Sequence, residues 1–444
     1  MKLSQGRRRR VVLACAAPCL ALVAALSCAP DSASTSQKPG ASAQSSPTPQ
    51  AQGAQPQQGA AWKPTRYEIR PEDLPPPREE ESATNPPRVV ARPTGAPFQV
   101  PPGFRVELYS GEGFENPRWM AEAPNGDVFV ADSQANRIQV LRDTNGDMRP
   151  DARVVFAENL NQPFGMAFRE NHLYVANTDS VVRFAYKPGQ TRAEGPPEKL
   201  ADLPGKGYNQ HWTRNVVFSP DGRKMYVTVG SETNVSVEPE PMRAAITEFN
   251  PDGTGKRIFA SGLRNPVGLA FHPTTGVMWT TVNERDRLGD DLVPDYLTSV
   301  RDGGFYGWPY SYIGKNVDPR RRGERPDLVA KSIVPDLLIQ SHSAALGLVF
   351  YAGEMFPAEY RGDAFVALRG SWNRTRRTGY KIIRVPFREG RPAGHYEDFL
   401  TGFLPDDASR TVWGRPVGLL VLRDGSLLLS EDGNNTIWRI TYQR

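Results

Sequence analysis

Cysteine is nearly absent from this sequence of 444 residues, which contains three: Cys15, Cys19 and Cys28. All of them lie within the first 28 residues, so the remaining chain can form no disulfide bond and depends on a large hydrophobic core. Long apolar runs are scarce as well, since the run at residues 11–26 is too short to span a bilayer comfortably. The net charge of +5 is modest, and no cluster of basic and aromatic residues indicates nucleic-acid binding.

Residues 1–28 have the features of a signal peptide. The basic stretch MKLSQGRRRR precedes the apolar run, and the sequence Ala25-Leu26-Ser27-Cys28 is similar to a bacterial lipoprotein cleavage box, in which Cys28 is acylated. Ala25 stands where leucine is usual, so removal of an ordinary signal peptide is the alternative. We therefore expect an exported protein, periplasmic or in the cell envelope, that meets the membrane only through a lipid on Cys28.

Residues 29–100 separate this signal from the folded part of the chain. As far as Gly59, the composition is dominated by Ser, Pro, Gln, Ala and Gly, which favours a disordered tether. Residues 60–100 stay rich in proline, which predicts an extended lead-in. We expect a single folded domain at residues 101–444.

One strand–turn–strand pattern recurs six times in that domain, whereas helical periodicity is nearly absent. Each copy has a short apolar strand, a turn with Gly, Pro or Asn, and a β-branched or aromatic strand that ends at polar residues. The copies lie at 119–133, 165–178, 216–230, 268–282, 347–369 and 418–432. They predict an all-β fold, a six-bladed β-propeller, in which residues 103–110 close the ring by pairing with the last blade.

A propeller gathers certain loops at one mouth of its central channel, namely those before the first strand and after the second strand of each blade. The residues that this topology brings together are Arg118, Gln162, His211, Arg264, Asn265, His342, Arg369, Arg415, Asp432 and the loops at 231–232 and 283–291. Convergent polar groups in a concavity favour a functional site over a simple water-filled channel. We therefore predict that the mouth is functional.

Five motifs in this domain, HWTRN, GLRNPVGLAF, NERDRLGDDL, GGFYGWPY and GRPVG, have the order seen in one enzyme family. From about residue 85 onward the sequence resembles the pyrroloquinoline quinone (PQQ)-dependent sugar dehydrogenases of the soluble glucose dehydrogenase and sorbosone dehydrogenase type. The resemblance implies a quinoprotein oxidoreductase with PQQ and Ca²⁺ in the mouth that oxidises an aldose or aldehyde. Because the sequence has no C-x-x-C-H haem motif, the electrons must pass to a separate acceptor, a quinone or a cytochrome.

The resemblance also implies roles for individual residues. His211 matches the general base, and Arg264 and Asn265 match the pair that contacts the cofactor and the reacting oxygen. The other cofactor candidates are Arg415 for a carboxylate, Gln162 as a loose match to a contacting glutamine, and Arg369 or Arg374 in place of a lysine under the cofactor. The candidates for the calcium loop are Glu284, Arg285, Asp286 and Asp291.

Two departures from the family bear on the substrate and on the base. Glucose-oxidising members orient the base with an aspartate where this sequence has Ser231 and Glu232, so either Glu232 substitutes or the histidine is oriented differently. This change, with the missing lysine, favours a sorbosone-type or other aldose substrate. Trp212, Trp308, Trp372 and Trp413 are candidates for a wall on which a sugar stacks, with core packing as the alternative.

Other interpretations remain open. Residues 143–151 either bind a structural calcium ion or form a hairpin turn around Asn145-Gly146. A calcium-dependent propeller lactonase or other hydrolase would need several carboxylates around a metal, but no arginine pair. A non-catalytic carbohydrate-binding propeller would have no redox chemistry. Arg264 and Arg415 favour an anionic cofactor over both.

Overall fold

The computed structural model of the protein describes residues 62–78, 83–205 and 211–443. The predicted signal peptide, Cys28 and the tether as far as residue 61 lie outside the described residues. Within the described part, no helix is long and apolar enough to cross a membrane.

Six antiparallel sheets of four strands each form the body. Blade 1 comprises Pro117–Glu122, Val128–Asp132, Arg137–Arg142 and Ala152–Ala157. Blade 2 comprises Met166–Arg169, His172–Ala176, Ser180–Ala185 and Glu198–Asp202. Blade 3 comprises Val216–Phe218, Met225–Val229, Ala245–Phe249 and Arg257–Ser261.

The second half of the chain repeats this arrangement. Blade 4 comprises Pro266–Phe271, Met278–Val282, Asp295–Ser299 and Leu337–Ile339. Blade 5 comprises Ala345–Phe350, Ala364–Leu368, Lys381–Val385 and Tyr396–Leu400. Blade 6 comprises Pro416–Val421, Leu427–Glu431 and Thr436–Tyr442, and its fourth strand is Phe104–Ser110 from the start of the domain.

The first strands of successive blades contact one another around a closed ring, and the first strand of blade 6 contacts that of blade 1. The pairing of Phe104–Ser110 with Thr436–Tyr442 joins the two ends of the domain, as the sequence predicted. The second strand of each blade is buried along nearly its whole length, because neighbouring blades cover both of its faces. For this reason these strands are runs of apolar residues rather than alternating ones.

The remaining elements are short. They are the strands Arg66–Tyr67, Arg88–Val89, Gly304–Phe305, Ser311–Tyr312, Asn316–Val317, Phe387–Arg388, Arg391–Pro392 and Thr411–Val412, the 3₁₀ turns Pro71–Asp73, Pro319–Arg321 and Ala358–Tyr360, and the helix Pro326–Val329. A long insertion between the third and fourth strands of blade 4 carries several of them and adds Gly304–Phe305 to the outer edge of blade 3.

The described residues of the lead-in lie extended over the propeller. Arg66–Tyr67 adds a fifth strand to blade 5, and Arg88–Val89 pairs with Thr411–Val412. Phe98 packs among the rings of blade 6 and its neighbours, with centroid distances of 4.9–5.0 Å. The packed body therefore includes residues N-terminal to 101.

Candidate active site

A cavity of about 240 Å³ opens at the mouth of the propeller. Most of its wall is built from residues before the first strands and after the second strands, as the topology requires. The lining residues are Asn116, Arg118, Gln134, His211, Trp212, Thr213, Arg264, Asn265, Asn283, Glu284, Asp286, Asp295, His342, Ala344, Leu346, Arg369, Gly370, Trp372 and Asp432.

His211 presents an unprotonated nitrogen at this cavity. Its Nδ1 lies 2.9 Å from the backbone carbonyl oxygen of Ser231 and 3.1 Å from the Ser231 hydroxyl. A carbonyl can only accept, and the hydroxyl donates its own proton to the carbonyl of Thr233 at 2.7 Å. Nδ1 therefore carries the proton, and the lone pair is on Nε2. The imidazole is oriented by Ser231, while Glu232 does not take over the role of the family's aspartate.

The surroundings of His211 keep it neutral. Burial of the ring, and then the positive charge of Arg264, lower its pKa to about 3. The hydrogen bond to Ser231 and the charge of Asp286 oppose this shift only in part, and Arg214 adds to it. At neutral pH the ring is therefore a proton acceptor.

Arg264 and Asn265 lie beside His211 on the cavity wall, where the sequence predicted them. Arg264 makes five hydrogen bonds within the protein, to Asn234 (O and Oδ1), Asn283 (O), Glu284 (O) and Asp286 (Oδ2). Asn265 donates from Nδ2 to Asn283 at 3.2 Å, but its buried Oδ1 has no partner among the described residues. Buried amide oxygens are rarely left unpaired, so Oδ1 marks a position for a ligand donor.

Three arginines converge on one buried carboxylate at one side of the cavity, and we call Arg118, Arg369, Arg415 and Asp432 the arginine wall. Arg118 donates to Asp432, Arg369 donates from Nε at 3.0 Å, and Nε of Arg415 lies 2.8 Å from Oδ1. Burial by itself raises the pKa of Asp432, but Arg369, Arg118 and Arg415 more than offset it and hold that pKa well below its ordinary value.

The arginine wall carries more positive than negative charge. Arg118 and Arg369 line the cavity, whereas Arg415 is absent from its lining and supports Asp432 from outside it, also donating to its backbone carbonyl at 2.9 Å. No hydrogen bond within the described residues engages the two terminal nitrogens of Arg369. Burial lowers the pKa of Arg118 to about 10, which leaves it charged at neutral pH. This side of the cavity can accept an anion.

Two buried carboxylates face the cavity from blade 4, and we call Glu284 and Asp295 the carboxylate wall. Asp295 accepts backbone N–H groups from Glu284 at 3.0 Å and Ala344 at 2.7 Å, and Glu284 accepts from the N–H of Arg285 at 3.0 Å. Neither forms an ion pair within the described ranges. Burial raises the pKa of Glu284 to about 7 and that of Asp295 to about 6. This side can hold a cation or a proton.

Asp286 belongs to a separate network. Its Oδ2 accepts from Arg264 at 3.2 Å, and its Oδ1 accepts from Asn373 at 2.7 Å and lies 3.5 Å from Nδ1 of His342. Burial raises the pKa of Asp286, but Arg264, His342 and Asn373 together hold it well below its ordinary value. Nε2 of His342 is 3.0 Å from the carbonyl oxygen of Gly289, so this histidine ties the 283–291 loop to blade 5.

The structure does not bring the four calcium candidates together. Glu284 and Asp286 line the cavity, but Arg285 points to Asp318 at 2.5 Å, and Asp291 is 67% exposed and pairs with Arg374 at 2.6 Å. In the part of the chain that the structure describes, no three His, Cys, Asp or Glu residues are grouped as a metal site. The same holds for residues 143–151, where Asp143 accepts the backbone N–H groups of a turn around Asn145-Gly146.

The remaining candidates divide between the cavity and the core. Gln162 is not among the described lining residues, and its backbone N–H is bonded to Asn136. Trp212 and Trp372 line the cavity, and Trp372 is 45% exposed. Trp308 and Trp413 are buried and serve core packing.

Sequence reasoning placed Arg118 and Asp432 at the mouth without giving them a role, and it missed Gln134 and Asp295 altogether. Asp295 is the first residue of a third strand, and Gln134 lies in the turn that leads to one. The propeller topology could have predicted the positions of Gln134 and Asp295, because the turn between the second and third strands of a blade also lies at the mouth.

Comparison with known proteins agrees with this architecture. A model of the TrAA12-like family matches residues 98–294 and 324–443. An uncharacterized protein from Borreliella burgdorferi is 29% identical over 366 residues, which cover 80% of this chain and 94% of the relative. A pyrroloquinoline quinone-dependent pyranose dehydrogenase from Coprinopsis cinerea is 24% identical over 409 residues, which cover 77% of this chain and 54% of that protein.

Among solved structures, the calcium structure of a Trichoderma reesei carbohydrate-active enzyme of family AA12 superposes with a TM-score of 0.68 and 20% identity. The match covers 81% of this chain and 100% of that one. At this identity the likeness bears on the fold alone, and the predicted six-bladed propeller is confirmed.

Proposed function

This chain belongs to the TrAA12-like family, and we propose that it is a PQQ-dependent oxidoreductase that oxidises an aldose sugar or an aldehyde. The name of the Coprinopsis cinerea relative supports both the cofactor and the substrate class. One observation carries the proposal: a neutral histidine with its lone pair on Nε2 and a wall of excess arginine charge open onto the same cavity.

The arginine wall fits the cofactor. PQQ is a planar quinone with three carboxylates, and guanidinium groups bind carboxylates through paired N–H donors. Arg369 has both terminal nitrogens available for this, and Arg118 adds a second charge on the cavity wall, while Arg415 holds Asp432 in place. Arg264 directs its hydrogen bonds to the protein, so its part is to fix the loop that carries Glu284 and Asp286.

The carboxylate wall fits a cation. Glu284 and Asp295 are buried, acidic and without ion-pair partners among the described residues, and hard oxygen ligands suit Ca²⁺. Since no third carboxylate from the described part of the chain is grouped with them, further ligands would come from backbone carbonyls, water or the cofactor.

In the proposed mechanism, PQQ held by Arg118 and Arg369 would supply the hydride acceptor, and a cation held by Glu284 and Asp295 would supply Lewis-acid chemistry. His211 removes the proton of the substrate hydroxyl through Nε2. The Nδ1–H bond to Ser231 fixes the tautomer and aims the lone pair at the cavity. The unpaired Oδ1 of Asn265 can accept a hydrogen bond from the substrate, and the exposed ring of Trp372 offers an apolar face for a sugar.

We extend the proposal to substrate, acceptor and location. Ser231 in place of an aspartate favours a sorbosone-type or other aldose over glucose. The electrons pass to a separate quinone or cytochrome. The sequence of residues 1–28 supports export and a lipid anchor on Cys28.

Reconstitution tests the proposal. The protein purified without PQQ is titrated with PQQ and Ca²⁺ and then mixed with aldoses and a dye acceptor. We expect saturable PQQ binding and dye reduction that requires both additions. PQQ binding without turnover on any aldose or aldehyde would overturn the substrate, and no PQQ binding would overturn the proposal in favour of a hydrolase or a binding propeller.

A further inference from the structure

Arg214 is a buried cation in the segment that carries His211. Its side chain is fully inaccessible to solvent, and burial lowers its pKa to about 9, so it is charged at neutral pH. Among the described residues it takes part in no ion pair: Asp179 acts on it only from a distance, and Arg243 adds a repulsive charge. Burying a charge without a partner is costly, so an arginine that serves the fold alone is unexpected here.

The hydrogen bonds of Arg214 go to backbone carbonyls. Nη1 donates to His211 at 2.6 Å and to Thr213 at 2.9 Å, and Nη2 donates to Pro204 at 2.9 Å. The guanidinium group of Arg214 thus links the carbonyl oxygen of His211 to that of Pro204, seven residues earlier in the chain. Only a planar group with several donors can span these positions, which a lysine ammonium cannot do.

We propose that Arg214 is a positioning residue for His211. Arg214 fixes the backbone of His211 through its carbonyl oxygen, and Ser231 fixes the imidazole ring through Nδ1. This inference rests on the proposed function for its kinetic consequence. The geometry gives His211 two fixed points, its own carbonyl oxygen and its Nδ1, and Nε2 is left for the substrate. A displacement of about 1 Å at a reacting group can cost on the order of 100-fold in rate.

Arg214 also acts on His211 through its charge. The charged groups that face the imidazole are Arg264 from the start of blade 4, Asp286 from the 283–291 loop and Arg214 from its own segment. Both arginines lower the pKa of His211, and Asp286 raises it. Removing the charge of Arg214 is therefore expected to raise that pKa, whereas a lysine at the same position preserves it.

The experiment compares Arg214→Met with Arg214→Lys. Histidine ¹³C resonances of the cofactor-free protein are followed by NMR from about pH 4, one unit above the pKa of about 3, to pH 8, and His211→Gln assigns the signal. Steady-state kinetics follow on the reconstituted enzyme. Arg243→Lys is the matched control, since Arg243 is 5% exposed in the same region but does not bond His211.

We expect kcat to fall roughly 10- to 100-fold in both Arg214 variants with KM changed less than about twofold. At pH 4 the His211 resonance of Arg214→Met should lie closer to its protonated position than that of wild type, whereas Arg214→Lys and the control should match wild type. If Arg214→Met or Arg214→Lys only lowers the melting temperature, with His211 titration and kcat as in wild type, the proposal is overturned. The NMR measurement needs no PQQ. Failure of the wild type to bind PQQ would therefore overturn the proposed function without deciding whether Arg214 positions His211.

Discussion

The two walls of the cavity bury carboxylates to a similar extent but shift their pKa values in opposite directions. Asp432 in the arginine wall is 4% exposed and stays ionised, whereas Glu284 in the carboxylate wall is also 4% exposed and has its pKa raised to about 7. The difference lies in the number of cations around each group. Three arginines surround Asp432, while the arginine that acts most strongly on Glu284, Arg264, also compensates Asp286.

This contrast shows how the charged groups that line a cavity can indicate what the cavity is built to bind. Excess positive charge on one side favours a carboxylate-bearing ligand, and undercompensated carboxylates on the other favour a metal ion or a proton. His211 lines the same cavity as a neutral group.

The largest effect is expected for the base. His211→Gln should lower kcat by about 10²- to 10⁴-fold with PQQ affinity nearly unchanged, because the variant loses the proton acceptor but keeps the arginine wall. Dye-reduction kinetics and a PQQ titration measure the two quantities.

Glu284 is the rival base, since a carboxyl group with a pKa of about 7 in the same cavity could also accept a proton. Near-normal turnover of His211→Gln together with an inactive Glu284→Gln variant would transfer the role to the carboxylate wall.

The next effect concerns the anion site. Arg369→Ala should weaken PQQ binding by roughly 10- to 100-fold, because the variant removes the guanidinium whose terminal nitrogens are uncommitted, and a hydrogen bond to a charged group contributes about 1.5–3 kcal/mol. Equilibrium titration with PQQ gives the dissociation constant. Arg376→Ala is the matched control, because Arg376 lies in the same loop but is 70% exposed and pairs with Asp407. Equal losses in both variants would contradict an anion site at Arg369.

The repeat pattern predicted the site residues whose place depends only on blade topology. His211, Arg264 and Asn265 precede first strands, and a strand-by-strand reading was sufficient to bring them to one mouth. Asp295 was missed because only residues before the first strands and after the second strands were expected at the mouth. The third strand also begins at the mouth, and Asp295 is its first residue.

Other residues could not be placed because their directions depend on long-range contacts. Arg285 turns away from the cavity toward Asp318, which lies in the insertion of blade 4 that no repeat describes. Asp291 pairs with Arg374 from the next blade instead of facing a metal. The side chains at positions 231 and 232 likewise could not predict how His211 is oriented, because the group that orients it is the backbone carbonyl of Ser231.

A smaller effect is expected from protonation of the carboxylate wall. Because the folded protein raises the pKa of Glu284 from 4.5 to about 7, it binds more protons than the unfolded chain in this interval, so Glu284 makes the free energy of unfolding fall as pH rises through it. His211 acts in the opposite sense, since its lowered pKa makes stability fall as pH drops below about 6.5. The comparison of wild type with Glu284→Gln isolates the carboxyl group.

Urea unfolding at pH 5 and pH 7 measures this effect. In Glu284→Gln, the free energy of unfolding should lose a pH dependence of up to about 1.4 kcal/mol per pH unit, which is the limit for one proton. Glu122→Gln is a control, because Glu122 lies at the end of a strand in blade 1 and pairs with Arg423 at the surface. Parallel pH profiles for wild type and Glu284→Gln would show that Glu284 is ionised in the folded protein and that the two walls do not differ as described.

The smallest effect should locate the sugar relative to the two walls. Trp372 follows Arg369 and Gly370 on the cavity rim, and its ring is 45% exposed, whereas the buried Trp308 and Trp413 are fixed in the core. If the sugar lies against this ring, Trp372→Ala should raise KM about 2- to 10-fold, the equivalent of the 0.5–1.5 kcal/mol typical of an aromatic contact. The chemical step should change little, because the ring contacts the sugar in the ground state and the transition state alike. Trp372→Phe should restore most of the loss, and unchanged KM in the alanine variant would place the sugar nearer the carboxylate wall.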